Sequence, residues 1–286
     1  MTFLSFNTAL LNYQLFGMPL FRPVRYVEKR LFAMAAELQR LNADIISLQE
    51  VYSLKHKQYL TQTLQSLYPF SFYDTKSRWG QLGSGLMILS KLPIVHSTFE
   101  TYKHQPLEER WVTQKGLLSV IVQTVKGRLV LTNTHTTASG SHFKQESPHI
   151  ESVRQSQIVQ TIASTHRLKR DWACAAAFIC GDFNCSPEIA PRNYACIAQH
   201  GFVDLYKKVN NSEEPTWDTD NPLNCVRSFF KTSPKQRIDF ILSEVGYEQL
   251  FSYLRAKIVL KERCVQIHAQ SYVPLSDHYG IMTELK

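Results

Sequence analysis

Six apolar residues in a row, Ala175-Ala176-Ala177-Phe178-Ile179-Cys180, run directly into Gly181-Asp182-Phe183-Asn184. A run this short and continuous reads as a buried strand, so the chain must build a sheet with this segment in its interior. Asp182 and Asn184 then fall where the strand gives way to a loop. The acid can hold a cation or a water, and the amide can donate a hydrogen bond to an anionic oxygen, which attack by water on a phosphate ester requires. Asp and Asn beside Gly are also ordinary turn residues, so the tetrapeptide alone leaves both readings open.

The same pattern recurs along the chain. Thr2 to Phe6 is a short apolar strand ending at Asn7, and Ile45 to Leu48 ends at Gln49 and Glu50. Leu129 to Thr132 runs into Asn133-Thr134-His135, Arg237 to Leu242 carries Asp239, and Ser276-Asp277-His278 precedes a last strand, Tyr279 to Leu285. Phe70 to Tyr73, Gly85 to Leu89 and Leu117 to Gln123 are also strand-like, with a turn signal at Lys126-Gly127. Leu31, Met34, Ala35, Leu38 and Leu41 recur at helical spacing over about residues 28 to 42. A second helix capped by Ser53 carries Leu60, Leu64 and Leu67, a third spans about Ile150 to Thr165, and a fourth lies between Pro187 and Gln199. Residues 207 to 227 read as a polar loop.

Helix and strand blocks in two successive series predict an α/β chain in which two sheets pack together with helices outside. Strand ends are where a rigid sheet holds polar side chains at a common surface. The set collected there is Asp, Glu and Asn with two histidines and no thiolate cluster, which suits a hard ion such as Mg²⁺ or Mn²⁺ and not structural zinc.

Composition narrows the class. With 286 residues and no Pro/Gly/Ser-rich linker or repeat, one domain over residues 1–286 is the simpler organisation. The first residues lack the basic-then-apolar pattern of a signal peptide, and no apolar run approaches the roughly 20 residues that span a bilayer, so membrane contact would be peripheral. The six cysteines (Cys174, Cys180, Cys185, Cys196, Cys225, Cys264) form no C-x-x-C pair and are expected to be free thiols. A formal charge of +8 favours polyanions or anionic surfaces without choosing between nucleic acid and lipid headgroup.

The ordered series Phe6-Asn7, Leu48-Gln49-Glu50, Asn133-Thr134-His135, Gly181-Asp182-Phe183-Asn184, Arg237-Ile238-Asp239-Phe240 and Ser276-Asp277-His278 resembles the endonuclease/exonuclease/phosphatase superfamily along the whole chain. The stretch Ser84 to Ile94, Lys115-Gly116-Leu117-Leu118, Thr134-His135, and Thr216-Trp217-Asp218 with Asn221 are most similar to its neutral sphingomyelinase branch. The resemblance implies a four-layer α/β sandwich and metal-dependent hydrolysis of a phosphodiester of phospholipase C type. It implies Glu50 as principal metal ligand, with Asn7 near metal and phosphate. His278 would be the general base and Asp239 the residue that orients it. Asp182 would position the water, and Asn184 would bind the phosphoryl oxygens. His135 would be a phosphate ligand or general acid, Asp277 a metal ligand or a second brace for His278, and Lys115 a phosphate contact. The implied cofactor is Mg²⁺, with Mn²⁺ as alternative, and the implied partner a phospholipid such as sphingomyelin.

Plainer readings stand beside these. Asp277-His278 could be a surface turn, Glu50 a helix-cap acid, Asp239 an edge acid paired with Arg237, and Lys115-Gly116 a turn. The apolar stretch Leu15 to Phe21 could fold into the core or meet a lipid surface through Arg22 and Arg25, and the same choice attaches to Trp79 and Trp111. A nuclease of the same superfamily is the closest rival function, and a non-catalytic binding module is a third. Gly181-Asp182-Phe183-Asn184 and Arg237-Ile238-Asp239 depart from the Gly-Asp-Leu-Asn and Cys-Asp-Arg patterns of the inositol-phosphate phosphatases. A monomer is expected, cytoplasmic or exported without a classical signal peptide.

Overall fold

Apolar residues on both faces of a strand require a packing partner on each side, and the strands of this chain meet that demand twice over. The computed structural model describes residues 1–15, 18–75, 81–138, 147–224, 234–252 and 254–286, without the side chains of 13–21. The first half runs β1 (Thr2–Asn7), a small hairpin of β2 (Tyr13–Leu15) and β3 (Met18–Phe21), α1 (Val27–Leu41), β4 (Ile45–Gln49), α2 (Leu54–Leu64), β5 (Phe70–Tyr73) and β6 (Met87–Ser90). Next come β7 (Ile94–Thr101), α3 (Leu107–Val112), β8 (Gly116–Thr124), β9 (Gly127–His135), α4 (Pro148–Asp171) and β10 (Ala176–Asp182). The chain closes with α5 (Pro191–Gln199), β11 (Phe202–Asp204), α6 (Leu205–Val209), β12 (Asp239–Glu244), β13 (Leu254–Val259), β14 (Val265–His268), β15 (Ser271–Val273) and β16 (Gly280–Leu285).

Two six-stranded sheets result, ordered β13-β16-β1-β4-β6-β5 and β11-β12-β10-β9-β8-β7. Both mix parallel and antiparallel pairs. Alternation along each strand decides which side chains enter which layer. In β10, Ala176, Phe178 and Cys180 point between the sheets, where they join Phe3, Ile45, Ile88, Leu118, Leu131 and Ile241. Ala177 and Ile179 point outward onto Ile158, Ile162 and Ile197 of α4 and α5. On the other sheet Leu4 and Phe6 face Leu31, Met34, Leu38 and Leu60 of α1 and α2. Helix, sheet, sheet and helix make the four-layer sandwich that the sequence predicts.

The elements depart from the sequence reading at their edges and where polarity hides them. α4 reaches Asp171, well past Thr165, because it covers the outer face of the second sheet. Ser53 flanks α2 but makes no side-chain cap bond. Within the polar stretch after residue 204, α6 forms because Asp204 caps it, accepting bonds from the backbone N–H groups of Tyr206 and Lys207. Among the described residues no two cysteines form a disulfide, and Cys225 lies outside the described residues. Of the stretch Leu15 to Phe21, residues 16–17 and all the side chains lie outside the described residues, as does Trp79. Among the described residues no helix is long and apolar enough to cross a membrane.

Candidate active site

Strand direction gathers the polar strand ends. β10 runs parallel to β9 and antiparallel to β12, so Asp182 sits in register with His135 on one side and Asp239 on the other. β1 runs parallel to β4 and antiparallel to β16, which places Asn7, Gln49 and Glu50 at the same end as Asp277 and His278. Below them Gln49 Nε2 donates to Asn133 Oδ1 (2.7 Å), and Asn133 Nδ2 donates to the Leu48 and Met87 carbonyls (2.8 and 3.1 Å). This amide clamp fixes one sheet against the other directly beneath the site.

The backbone is specialised at the same place. Glu50 and Asn184 occupy the left-handed region at φ of 62° and 47°, which costs a non-glycine residue of order 1 kcal/mol. Gly181 has φ of +153°, and a Cβ there would lie 2.0 Å from the Thr134 carbonyl oxygen, so only glycine lets β10 close onto β9 beside Asp182.

The centre is a chain of acid, imidazole and acid. His278 Nδ1 donates to Asp239 Oδ2 (3.0 Å), while its Nε2 faces Asp182 Oδ2 at 3.9 Å. Thr216 Oγ1 accepts from the backbone N–H groups of Ile238 and Asp239 (3.1 and 3.2 Å), which locks the strand that carries the acid. Burial disfavours a charged His278, but Asp239, with Asp182 and Asp277 behind it, outweighs that and holds the imidazole well above its ordinary value. Asp182 is pushed up to about 7 by burial and by Asp239, against the opposing pull of His278 and the bond from Asn7. Asn7 Nδ2 bridges Asp182 Oδ2 (2.9 Å) and Glu50 Oε1 (3.2 Å), and Asn184 N donates to Asp182 Oδ1 (2.9 Å).

His135 lies on the other side of Asp182, Nε2 to Oδ2 at 3.7 Å. Burial, then the charges of Lys115 and His278, hold it well below its ordinary value, so its imidazole is neutral at neutral pH. Its Nδ1 and the Oδ1 of Asp239 are buried without a hydrogen-bond partner among the described residues. Glu50 keeps an edge to solvent, yet desolvation pushes its carboxyl up and Asp277 adds to the shift.

Two groups compete as a seat for a cation. Ligand atoms of Asp182, Asp239 and His278 lie within 4.8 Å of one another. Their closeness is already explained by the bond between His278 and Asp239, which engages Nδ1 and leaves Nε2 as the ring nitrogen that faces Asp182. Glu50 and Asp277 repel one another, and the charges of His278 and Lys115 offset this only in part, so the Glu50 carboxyl stays raised. The nearby Arg30 is pushed down to about 10 by burial, and its guanidinium is spent on the carbonyls of Thr8, Ala9, Leu275 and Arg25. A half-buried pair of carboxylates is a hard oxygen donor set, and it fits a divalent ion of Mg²⁺ type.

The structure thus brings together Asn7, Glu50, His135, Asp182, Asn184, Asp239, Asp277 and His278. Lys115 stands at the rim, where Nζ donates to the Thr136 carbonyl (2.7 Å) and pairs with Glu109 (3.3 Å). Its charge reaches Glu50 and His135. Arg237 is no partner of Asp239. It pairs with Asp204 (2.7 Å) and Glu213 (2.6 Å) and lies over the rings of Tyr206 and Phe240.

Three residues of the site escape the motif reading. Arg30 ties the loop after β1 to the loop before Asp277, and its signal was an arginine on the apolar face of α1 beside Val27, Leu31 and Met34. Glu109 on α3 holds Lys115 and accepts from the Ala138 N–H (3.0 Å). Tyr52 is buried with its phenol well above the ordinary value through desolvation and the charges of Glu50 and Glu109, and Gly85 makes room for its ring. Neither of the last two carries a local signal.

Comparison with known proteins agrees with this geometry. Residues 4–278 match the endonuclease/exonuclease/phosphatase family. The chain is 26% identical to the inositol phosphosphingolipids phospholipase C of Schizosaccharomyces pombe, over 91% of this chain and 64% of that protein. It is 25% identical to human sphingomyelin phosphodiesterase 2, over 98% of this chain and 65% of that one. The chain therefore spans less than two thirds of the length of these relatives. Its fold matches a beta toxin variant from Staphylococcus aureus solved with bound magnesium ions, with a TM-score of 0.78 at 18% identity, over 100% of this chain and 99% of that one.

Proposed function

The chain belongs to the endonuclease/exonuclease/phosphatase family, and we propose that it is a divalent-metal-dependent phosphodiesterase that cleaves a sphingophospholipid such as sphingomyelin between the lipid alcohol and its phosphate. The observation that carries the chemistry is the Asp182–His278–Asp239 chain beside the Glu50 and Asp277 acids. The lipid class is supported by the relatives that act, by name, on sphingophospholipids.

His278 is the proton acceptor for the attacking water through Nε2, the nitrogen not engaged by Asp239. Asp239 fixes the ring and stabilises the imidazolium that forms, as a paired carboxylate favours the charged partner. Asp182 lies 3.9 Å from that nitrogen and orients the water toward phosphorus. Asn184, whose backbone N–H braces Asp182, contacts the phosphoryl oxygens through its carboxamide, while Asn7 gives its two amide hydrogens to Asp182 and Glu50 and orients both acids. The sequence leaves His135 as phosphate ligand or general acid. Its neutrality favours the first, with the ring N–H as hydrogen-bond donor and Lys115 behind it as a source of positive potential. Glu50 and Asp277, with Asn7 beside them, would hold the divalent ion, Mg²⁺ or Mn²⁺; when bound, it offsets the phosphate charge and that of the departing alkoxide.

The test is turnover of purified protein with Mg²⁺ on sphingomyelin vesicles and on single-stranded and duplex DNA, with His278→Ala as blank. Phosphocholine release that vanishes in the variant is the expected result. Nicked DNA with untouched vesicles would assign the chain to the nucleases, the reading its +8 charge favours.

A further inference from the structure

We propose that α3 is a bilayer-docking element built onto the rim of the active site, an inference that rests on the lipid substrate proposed above. Large apolar side chains exposed on a short helix need a partner or a reason. Leu107 is 68% exposed, Trp111 77% and Val112 44%. Leu107 and Trp111 are four residues apart and share one face. Glu109 is two residues from each, a turn of about 200° along a helix, and so faces the other way. That inward face is tied to the site: Glu109 pairs with Lys115 and accepts from the Ala138 N–H.

The outward face is held rigidly. Gln81 Nε2 donates to the Arg110 carbonyl (2.7 Å), Leu82 N donates to the Val112 carbonyl (2.9 Å), and Leu82 bridges Thr113. A fixed Trp and Leu beside the entrance match the bilayer interface, where an indole places its ring among the acyl chains and its N–H at the headgroups. Charge fits the same occupant. Lys103 and Arg110 are exposed beside it and would meet lipid phosphates, with Glu108 the one exposed acid of the helix. Docking through α3 sets the catalytic cleft against the membrane plane, where the scissile phosphate of a sphingophospholipid lies.

Flotation with phosphatidylcholine/phosphatidylserine vesicles, which contain no substrate, reads docking apart from turnover. The double variant Leu107→Ala/Trp111→Ala should float about a hundredfold more weakly or worse, since two large apolar side chains leave the interface. It should lose turnover on sphingomyelin-containing vesicles by a similar factor while hydrolysing soluble bis(p-nitrophenyl) phosphate at the wild-type rate. Trp111→Phe should restore most of the flotation. The proposal fails if wild type does not float, if the double variant floats like wild type, or if the soluble diester is lost in parallel, which marks damage to the site. Weakened binding to single-stranded DNA with normal flotation would also overturn it. Wild type that floats through Trp111 but releases no phosphocholine keeps the docking and removes the substrate reading.

Discussion

At the residue scale the site turns on how one imidazole is charged. Asp239 raises the basicity of His278 through Nδ1, and Asp182 contributes from the other nitrogen. Asp239→Asn keeps the shape and removes the charge, so the imidazole resonance should titrate at lower pH in NMR while kcat falls by roughly 10²–10⁴, the usual range for a displaced general base. A variant whose His278 titrates unchanged would show that the carboxylate does not govern the ring. These groups were legible in the sequence because each ends an apolar strand, and the end of a strand fixes both where a side chain is and which way it faces. Arg30, Tyr52 and Glu109 were not, because what makes them part of the site is distant chain. Tyr52 is placed by the absence of a side chain at Gly85, and Glu109 by Lys115 across a turn.

At the scale of elements, continuous apolar runs such as β4 and β10 announced themselves, whereas β7 and β13 did not. In β13 the exposed Arg255 and Lys257 interrupt the pattern, as suits an edge strand with only one buried face. The buried arginine of the Arg237-Ile238-Asp239 motif has its own structural task, joining Asp204 at the end of β11 to Glu213 beyond α6. Removing it leaves two acids facing each other, so Arg237→Ala should cost about 3–5 kcal/mol in a urea titration. The same strut predicts an acid limb. Burial alone would raise the Glu213 carboxyl, but the bond from Arg237 outweighs it and holds it below its ordinary value of 4.5. A carboxyl lowered in the folded state contributes stability that is fully present above the ordinary value and is lost as pH falls through the lowered one. Glu213→Gln should therefore flatten the decline of melting temperature below about pH 4.5, and an unchanged acid limb would show that other carboxylates carry it.

At the scale of the whole molecule the site is a seam. Asn7, Glu50, Asp277 and His278 come from the first sheet and its loops, while His135, Asp182, Asn184 and Asp239 come from the second, and the Gln49–Asn133 clamp lies below them. Glu50 and Asp277 repel one another in the folded chain, so a cation that binds between them in the folded state alone should raise the stability of the fold. A ligand at a hundredfold its dissociation constant adds about 2.7 kcal/mol to stability. For a chain of this size that is a rise in melting temperature of roughly 4–5 °C. The rise should appear with Mg²⁺ or Mn²⁺, saturate, and disappear on chelation. Variants then separate the two candidate seats without reference to turnover. If Glu50 holds the ion, Glu50→Gln loses the thermal shift and His278→Ala keeps it, since the imidazole is engaged with Asp239 and takes no part in seating the cation. The reverse pattern, a shift kept by Glu50→Gln and lost by His278→Ala, would move the ion into the Asp182–Asp239–His278 group and take the role of general base away from His278.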